Sequence, residues 1–472
     1  MNLARRLAEN ICQRLRDSGH QAYLVGGCVR DILLGREPAD YDVSTDATPD
    51  RVQQLFPHSV AVGAKFGVII VQDDENVQQA DSIQEDDSAL EGYGVSEHHH
   101  RAESLQVEVA TFRSDIGYSD GRHPDRVVYT TSPQEDVKRR DFTINALLLD
   151  LATGEVLDYV GGRDDLRTGI IRAIGCAEDR FREDKLRMAR AVRFAARFRC
   201  AIEAQTFAAI SKLAAEIHQV SPERLRDELT KLLTEGSARR GFELLDETRL
   251  LPELLPEIAR MKGVEQPPQY HPEGDVWIHT LMMLEKLPAG CSPTLAWGVL
   301  LHDVGKPSTL TLPAGPDDRI RFNEHAEVGT RMAEEICRRF RFSNAETEQI
   351  AALVANHMRF KDVPQMKPAT LKRFVRLGDF QEHLELHRLD CSSSHGHLDN
   401  YEFVRRFLED TPPEEVRPPR LISGSDLIAL GLRPGPEFKG LLDAVEEAQL
   451  DGTVETHEDA LEFIRQRVGK AS

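Results

Sequence analysis

The sequence predicts an α+β protein in which a mixed α/β unit is followed by helices to the end of the chain. Short β-branched runs such as "GVIIV" (67–71) and "VEVATF" (107–112) alternate with Gly, Pro and Asp between Tyr23 and Asp150. After "LDYVGGRDDLRTGIIRAIG" (157–175), Leu, Ala, Arg and Glu recur at helical spacing instead. We therefore expect an α/β head and an all-α remainder.

The bulk composition indicates several globular domains. A chain of 472 residues is too long for one compact core, which favours three or four domains. Its net charge of -20 repels nucleic acid on average, so a polyanionic partner would need a local basic site.

Proline clusters and composition shifts suggest the domain boundaries. "GVEQPPQYHPEG" (263–274) and "DTPPEEVRPPR" (410–420) bracket a histidine-rich helical block. Residues 72–104 are acidic and poor in large apolar side chains, which indicates a surface insertion. Its His98, His99 and His100 could bind metal, but we favour a solvated loop. The predicted domains are 1–155, 156–262, 263–400 and 401–472.

Cysteine usage and the amino terminus favour a cytoplasmic location. The 7 cysteines lack paired C-x-x-C spacing, which fits neither a disulfide framework nor a zinc ribbon. Residues 1–19 form a charged amphipathic pattern rather than a signal peptide, and no apolar run reaches membrane-spanning length. We expect reduced thiols and no membrane partner.

The stretch "YLVGGCVRDILLGREPADYDVS" (23–44) indicates phosphate chemistry. Gly26 and Gly27 form a turn between a predicted strand and helix, where free N–H groups, the helix dipole and Arg30 favour an anion. Asp40 and Asp42 would point to the same face of the next strand, and paired carboxylates suit a divalent ion. A third ligand could be Glu108. A solvated D-x-D turn is the alternative, but the combination favours phosphoryl or nucleotidyl transfer.

Two further motifs, "KRRDFTINALLLD" (138–150) and "REDKLRMARAVRFAARF" (182–198), complete a family resemblance. With the opening stretch they resemble class II tRNA nucleotidyltransferases and bacterial poly(A) polymerases, of the polymerase-β-like superfamily, over roughly residues 20–260. The resemblance implies a catalytic head, a neck and body that bind nucleotide and RNA, and an RNA-binding tail.

The resemblance also implies roles for individual residues. Gly27 and Arg30 fall on triphosphate-binding positions, with Gly26 beside them, and Asp40 and Asp42 fall on ligands of Mg²⁺. The remaining nucleotide-binding positions are Arg140, Asp184, Arg187, Arg190 and Arg193.

The spacing of the charges in the last motif supports a nucleotide pocket independently. Five charged residues lie three or four apart, which would place them on one helix face: Asp184, Arg187, Arg190, Arg193 and Arg197. A solvated stripe is the alternative, but so many like charges would repel each other unless an anion lay nearby. Cytosine and adenine both present an amine donor beside a ring-nitrogen acceptor, so the carboxylate of Asp184 and the guanidinium of Arg187 would accept both and disfavour uracil and guanine.

The histidine-rich block predicts a second metal site. His279, His302, Asp303 and Asp390 would be presented by several helices, and such ligands hold one or two divalent transition metals. "LLHDVGK" (300–306) resembles an HD-type phosphohydrolase domain, with a metal-free scaffold for tRNA as the alternative. His325 and His357 either complete a second metal site or pack between helices.

The function we expect is addition of CCA to tRNA 3′ ends from CTP and ATP, by two-metal catalysis with release of pyrophosphate. The alternatives are a poly(A) polymerase, a partial enzyme that adds only A or only CC, and, from another class, an HD phosphohydrolase with a vestigial head. The stretch 126–142 lacks the "RDNxFG"-like motif of proteobacterial poly(A) polymerases, and the loop 116–137, linked in the family with A addition, is intact. We expect tRNA rather than DNA as the partner.

Overall fold

The structure, a computed structural model, describes residues 2–62, 67–72, 105–118, 121, 124–269, 271–272, 274–315 and 318–469. It confirms the α+β class. The chain divides into two compact units, Met1–Leu229 with Gly241–Leu254, and Thr230–Arg240 with Leu255–Ser472. Most of the predicted acidic insertion, residues 73–104 with His98, His99 and His100, lies outside the described residues, whereas Gln72 ends a strand.

The first unit contains the strands and the helices of the amino-terminal half. Its strands are β1 (Ala22–Val25), β2 (Asp42–Thr45), β3 (Ser59–Ala61), β4 (Val68–Gln72), β5 (Gln106–Thr111), β6 (Arg113–Ile116), β7 (Arg126–Tyr129), β8 (Leu148–Leu149), β9 (Val156–Leu157), β10 (Ile170–Ile171) and β11 (Ala201–Ile202). Its helices are α1 (Leu3–Asp17), α2 (Gly27–Leu33), α3 (Pro49–Leu55), α4 (Pro133–Lys138), α5 (Gly162–Thr168), α6 (Ala177–Glu183), α7 (Leu186–Phe198), α8 (Ala204–Leu213), α9 (Pro222–Thr234), α10 (Ala238–Glu247) and α11 (Leu250–Leu254), of which α9 and α10 continue into the second unit.

A seven-stranded mixed sheet, in the order β3-β4-β5-β2-β1-β8-β9, organises the head. In β5, Val107 and Val109 are buried and Glu108 faces the other side, as the period of two requires. β2 runs parallel to β5 and pairs Asp42 with Glu108, so these two carboxylates share one face of the sheet. The opposite face packs on α1, whose Ile11 and Leu15 are fully buried.

The second unit is almost entirely helical. Its elements are α12 (Pro256–Ala259), α13 (Val276–Lys286), α14 (Pro293–Leu301), α15 (Lys306–Thr309), β12 (Leu310–Thr311), β13 (Arg321–Phe322), α16 (His325–Arg339), α17 (Asn344–Asn356), a 3₁₀ segment (His357–Gln365), α18 (Pro368–Phe374), α19 (Phe380–Ser393), α20 (Asp399–Asp410), α21 (Pro413–Val416), α22 (Gly424–Ala429), α23 (Glu437–Leu450) and α24 (His457–Gly469). α22, α23 and α24 bury their own apolar cluster around Leu427, Val445 and Ile464. Within the described ranges, no helix has the length and apolar character needed to cross a membrane.

Candidate active site and histidine cluster

The glycine turn after β1 is a backbone feature that only glycine adopts easily. Gly26 has φ 78° and ψ -129°, a conformation that L side chains rarely adopt, and its N–H donates to the carbonyl of Leu147 at 3.2 Å. A Cβ at Gly26 would lie 3.4 Å from Nη1 of Arg140. The turn thus leaves room for this guanidinium at the start of α2.

Three carboxylates, Asp40, Asp42 and Glu108, lie close together where the inner strand β2 begins, next to that turn. We call this group the acidic edge. Asp42 begins β2 opposite Glu108, but Asp40 lies two residues before the strand, so its expected strand position is wrong. Burial raises the pKa of Asp42 to about 6, and the negative charges of Glu108 and Asp40 add to the rise. Because these acids repel each other, a cation placed among them would be stabilised.

Arg140 links the turn to the carboxylates. Its Nη2 donates to Oγ of Ser44 at 3.2 Å and to Oδ2 of Asp136 at 3.1 Å, and its charge opposes the rise in the pKa of Asp42. Ser44 lies two residues after Asp42 in β2 and therefore on the same face. A positive charge, a glycine turn and the acidic edge are thus brought together, as the sequence motifs predict.

Arg30 is less accessible than a triphosphate contact would suggest. It is 5% exposed, and its guanidinium donates to Asp31 Oδ1 at 2.8 Å and to Asn145 Oδ1 at 2.6 Å. The same group lies 4.3 Å from the ring centroid of Phe198. These contacts brace the turn from inside the protein, and the expected triphosphate contact of Arg30 stays a prediction.

The arginine motif differs from the predicted single face of charges. Asp184 lies in the connection between α6 and α7 rather than on the helix, so the expectation of five residues on one helix face is wrong. The argument from repulsion is also wrong, because protein carboxylates pair with the arginines. Those pairs are Arg187 with Glu183 at 2.7 Å, Arg190 with Asp141 at 2.8 Å and Arg193 with Glu228 at 2.7 Å.

Both residues predicted to read the base are held by groups that the motif did not indicate. Arg224 of α9 binds both oxygens of Asp184, with Nη2–Oδ2 at 2.7 Å and Nη1–Oδ1 at 3.2 Å. Arg187 donates to Glu183 and to the main-chain carbonyls of Arg180 and Arg139. No local spacing could reveal these partners, since Arg224 is 40 positions from Asp184 and Arg139 is 48 from Arg187.

The segment 116–137, expected to be a flexible loop, contains the last residue of β6, all of β7 and most of α4. β6 and β7 pair antiparallel, and the OH of Tyr118 donates to Oδ2 of Asp115 at 2.9 Å. Burial raises the pKa of Tyr118 to about 12, with Asp115 adding to the rise and Arg187 opposing it. Tyr118, at the start of the hairpin tip, therefore lies within electrostatic reach of Arg187.

The histidine-rich block brings together all four of its predicted ligands and two further histidines. In the described residues, two groups have ligand atoms within 4.8 Å of one another: His279, His302 and Asp390, and Asp303, His325 and His357. Asp303 faces both, since its Oδ2 lies 3.1 Å from Nε2 of His302 and its Oδ1 lies 3.6 Å from Nε2 of His325. His325 and His357 thus lie beside Asp303 in the cluster, and the second metal site stays a prediction.

Three of these imidazoles are oriented by the main chain. Their Nδ1 atoms lie within hydrogen-bonding distance of carbonyl oxygens of Val299, Phe322 and Val354, which directs Nε2 of His302, His325 and His357 into the cluster. Burial lowers the pKa of His357 to about 3 and lowers that of His325, which favours the neutral, metal-binding form.

A cavity opens onto this cluster. It has a volume of about 770 Å³, and its lining includes Asp303, His325, His357 and Asp390 together with the basic side chains of Lys306 and Lys361. Cations beside a metal-ligand cluster favour a phosphorylated ligand.

The sheet topology, the glycine turn with Arg140 and the acidic edge define the first unit as the head of a nucleotidyltransferase. Three protein-family models match the chain: "Poly A polymerase head domain" over residues 22–172, "Probable RNA and SrmB- binding site of polymerase A" over 200–262, and "HD domain" over 275–382.

Curated relatives and a solved structure extend the match to the whole chain. The CCA-adding enzyme of Lactobacillus helveticus is 30% identical over 456 residues, 96% of this chain and 94% of the relative. That of Lactiplantibacillus plantarum is 39% identical over 267 residues, which span 56% of this chain and 58% of the relative. The crystal structure of the Bacillus stearothermophilus CCA-adding enzyme in complex with CTP matches with a TM-score of 0.69 and 27% identity, over 100% of this chain and 99% of that one.

The chain belongs to the family of CCA-adding enzymes and bacterial poly(A) polymerases, in the branch that carries an HD domain.

Proposed function

We propose that this protein adds CCA to the 3′ end of tRNA, taking C from CTP and A from ATP and releasing pyrophosphate. The observation that carries the proposal is the acidic edge of Asp42 and Glu108 beside Arg140 and the glycine turn. The similarity over nearly the full length to CCA-adding enzymes, one of them crystallised with CTP, supports this choice over poly(A) synthesis or addition of A alone.

The roles of the head residues follow from their charges and positions. Asp40, Asp42 and Glu108 are the groups that would hold divalent metal, for which we propose Mg²⁺ because the donors are hard oxygen atoms. A divalent ion held by these three carboxylates would supply activation of the attacking 3′-hydroxyl and neutralisation of charge on the phosphates. The main-chain N–H group of Gly27 and the guanidinium of Arg140 would orient the triphosphate, while Gly26, whose N–H is bonded to Leu147, shapes the turn.

Base choice belongs to Asp184 and Arg187 in this proposal. The carboxylate of Asp184 accepts the exocyclic amine of cytosine or adenine, and the guanidinium of Arg187 donates to the adjacent ring nitrogen. Uracil and guanine would place a carbonyl oxygen against the carboxylate, which leaves both groups unpaired. Arg190 and Arg193 complete the pocket, with charges already balanced by Asp141 and Glu228.

Replacing one head carboxylate tests the proposal. The substitution Asp42→Asn keeps the shape of the side chain but removes the charge that would bind the cation, so incorporation of labelled CTP and ATP into tRNA lacking CCA should fall by roughly 100-fold or more. The matched control is Asp50→Asn, an exposed carboxylate in the first turn of α3, which should leave incorporation unchanged. Undiminished incorporation by Asp42→Asn would exclude the mechanism.

A second activity, metal-dependent phosphohydrolysis, is favoured by the two adjoining ligand groups in the second unit. Asp303 stands between them, and a cavity with Lys306 and Lys361 in its lining adjoins them. The donor set fits divalent transition metals: His279, His302 and Asp390 would hold one ion and Asp303, His325 and His357 another. Ions bound there would polarise a phosphoryl group.

Metal content and hydrolysis test this second activity together. His302→Ala should lower the metal retained after loading with Mn²⁺ or Ni²⁺, and should abolish hydrolysis of p-nitrophenyl phosphate, while tRNA incorporation persists. His218→Ala, an exposed histidine of the first unit paired with Glu253, is the control. Full metal content and hydrolysis in His302→Ala would contradict the assignment.

A further inference from the structure

Asp184, in the connection between α6 and α7, is held in place by an arginine of helix α9. Arg224, in the first turns of α9, grips the carboxylate with two hydrogen bonds, and its side chain is 24% exposed against 15% for Asp184. Two-point contacts of this kind fix the plane of a carboxylate as well as its position, and a partly buried pair is less screened than a surface pair.

Among the described residues, the contacts of Asp184 leave one acceptor position for a base. A carboxylate has about four acceptor positions, two on each oxygen. Oδ1 accepts from Arg224 at 3.2 Å and from the N–H of Leu186 at 3.1 Å, and Oδ2 accepts from Arg224 at 2.7 Å. The fourth position, on Oδ2, remains for the exocyclic amine of a nucleotide.

The base-reading partner is arranged in the same way. Three of the five N–H donors of Arg187 go to Glu183 and to the carbonyls of Arg180 and Arg139. The donors left over are Nε–H and one N–H of Nη2. Asp184 thus offers one acceptor position and Arg187 one donor edge, and surrounding groups fix both. Such a fixed pair can discriminate between bases by their hydrogen-bond pattern.

We propose that Arg224 is a specificity-positioning residue: it aims the remaining acceptor of Asp184 at the exocyclic amine of the incoming base. The inference rests on the proposed function, since it assigns to Arg224 a part in choosing C and A. Without Arg224 the carboxylate can rotate away from the carbonyl oxygen of uracil or guanine, so the cost of mispairing with these bases falls. The orientation that Arg224 gives to Asp184 should matter more for rejecting the wrong nucleotide than for turnover of the correct one.

The test compares nucleotide selectivity between variants. Selectivity is kcat/KM for CTP divided by kcat/KM for UTP, on tRNA lacking CCA. Arg224→Met, which keeps the side-chain length but removes the fork, should reduce it by about 10- to 100-fold. Arg224→Lys, which keeps the charge but offers a single ammonium group, should fall between wild type and Arg224→Met.

Two controls separate positioning from simple stabilisation. Arg182→Gln removes an arginine two residues before Asp184 whose carboxylate partners are Glu178 and Asp179, and it should leave selectivity unchanged. In an Asp184→Ala background, Arg224→Met should change selectivity no further, because the group it acts through is gone.

Each outcome has a defined meaning. Selectivity equal to wild type in Arg224→Met, or a further loss in the Asp184→Ala background, would overturn the inference, even where kcat or the melting temperature falls. Wild-type protein that adds neither C nor A would instead contradict the proposed function.

Discussion

Gly26 and Arg140 show how a single backbone conformation positions a functional charge. Gly26 takes a positive φ with ψ -129°, and Arg140 fills the space next to its α-carbon. The guanidinium is then held by Ser44 and Asp136 close to the acidic edge. A side chain at position 26 would strain the turn, because L residues rarely adopt this φ, and its Cβ would lie in van der Waals contact with the guanidinium.

Gly26→Ala should therefore lower both stability and activity. The strain should cost roughly 1–3 kcal/mol in the free energy of unfolding, and relaxation of the strained turn should shift Arg140 and raise KM for CTP and ATP. Gly19→Ala is the matched control, because Gly19 has φ 84° with no atom within 4 Å of an added Cβ. It should lose stability but keep KM. An unchanged KM in Gly26→Ala would show that Arg140 does not depend on the turn.

At this scale the sequence predicted the residues that lie in recognisable motifs. Asp42, Glu108 and Arg140 meet as expected, because strand alternation and the "RRDF" motif constrain them. Arg224, Glu183 and Glu228 were missed as partners, because an ion pair between distant positions leaves no periodic trace in the sequence. Single histidines such as His325 and His357 are equally uninformative until the helices bring them to Asp303.

Ion pairs tie helix α7 to Asp141, in the connection after α4, and to helix α9. Arg190 donates to Asp141 through Nε and Nη2 at 3.0 and 2.8 Å, and Arg193 donates to Glu228 of α9 at 2.7 Å. Burial alone would raise the pKa of Asp141, but Arg190 and the N–H of Phe142 bring that pKa below its ordinary value. The pair thus stabilises the folded state while Asp141 is ionised.

The stabilisation by Asp141 should depend on pH. A carboxyl whose folded pKa is depressed contributes stability above its unfolded pKa of about 3.9, and that contribution is lost as pH falls through the folded pKa. Asp141→Asn should lower the free energy of unfolding by roughly 2–4 kcal/mol at pH 7, with a smaller difference from wild type at pH 3. Thermal melting at the two pH values measures this.

The control for this prediction is an exposed pair of the same type. Asp164→Asn removes the partner of Arg167, and both side chains are more than two-thirds exposed, so a change below about 1 kcal/mol is expected. A deficit in Asp141→Asn that stays constant between pH 7 and pH 3 would exclude the ionised pair as its cause.

Elements were predicted unevenly for a physical reason. Helices with a clear apolar stripe, such as α1, lie where the period indicates them. The two-residue strands β8, β9, β10 and β11 were not predicted, because so short a segment shows no alternation of apolar and polar residues. Each becomes a strand only because it pairs with a neighbouring strand. Asp184 was wrongly predicted to lie on α7, because the three- or four-residue spacing of charged side chains begins before the first helical residue, Leu186.

At the scale of the whole molecule, the two compact units carry separate chemistry. The acidic edge and the arginine motif belong to the first unit, and the histidine cluster belongs to the second. The α+β class and the family were both confirmed, since long motifs in a fixed order specify a family more strongly than any one spacing. The three predicted domain boundaries stay a prediction.

The central claim, CCA addition, is tested most directly by sequencing the 3′ ends made by the purified protein from tRNA that lacks CCA. With CTP and ATP together, the account predicts three added residues, C-C-A, and then termination. With CTP alone it predicts C without A. Long A tails, or A added only to tRNA that already ends in CC, would contradict the account and assign the protein to one of the alternative activities of its family.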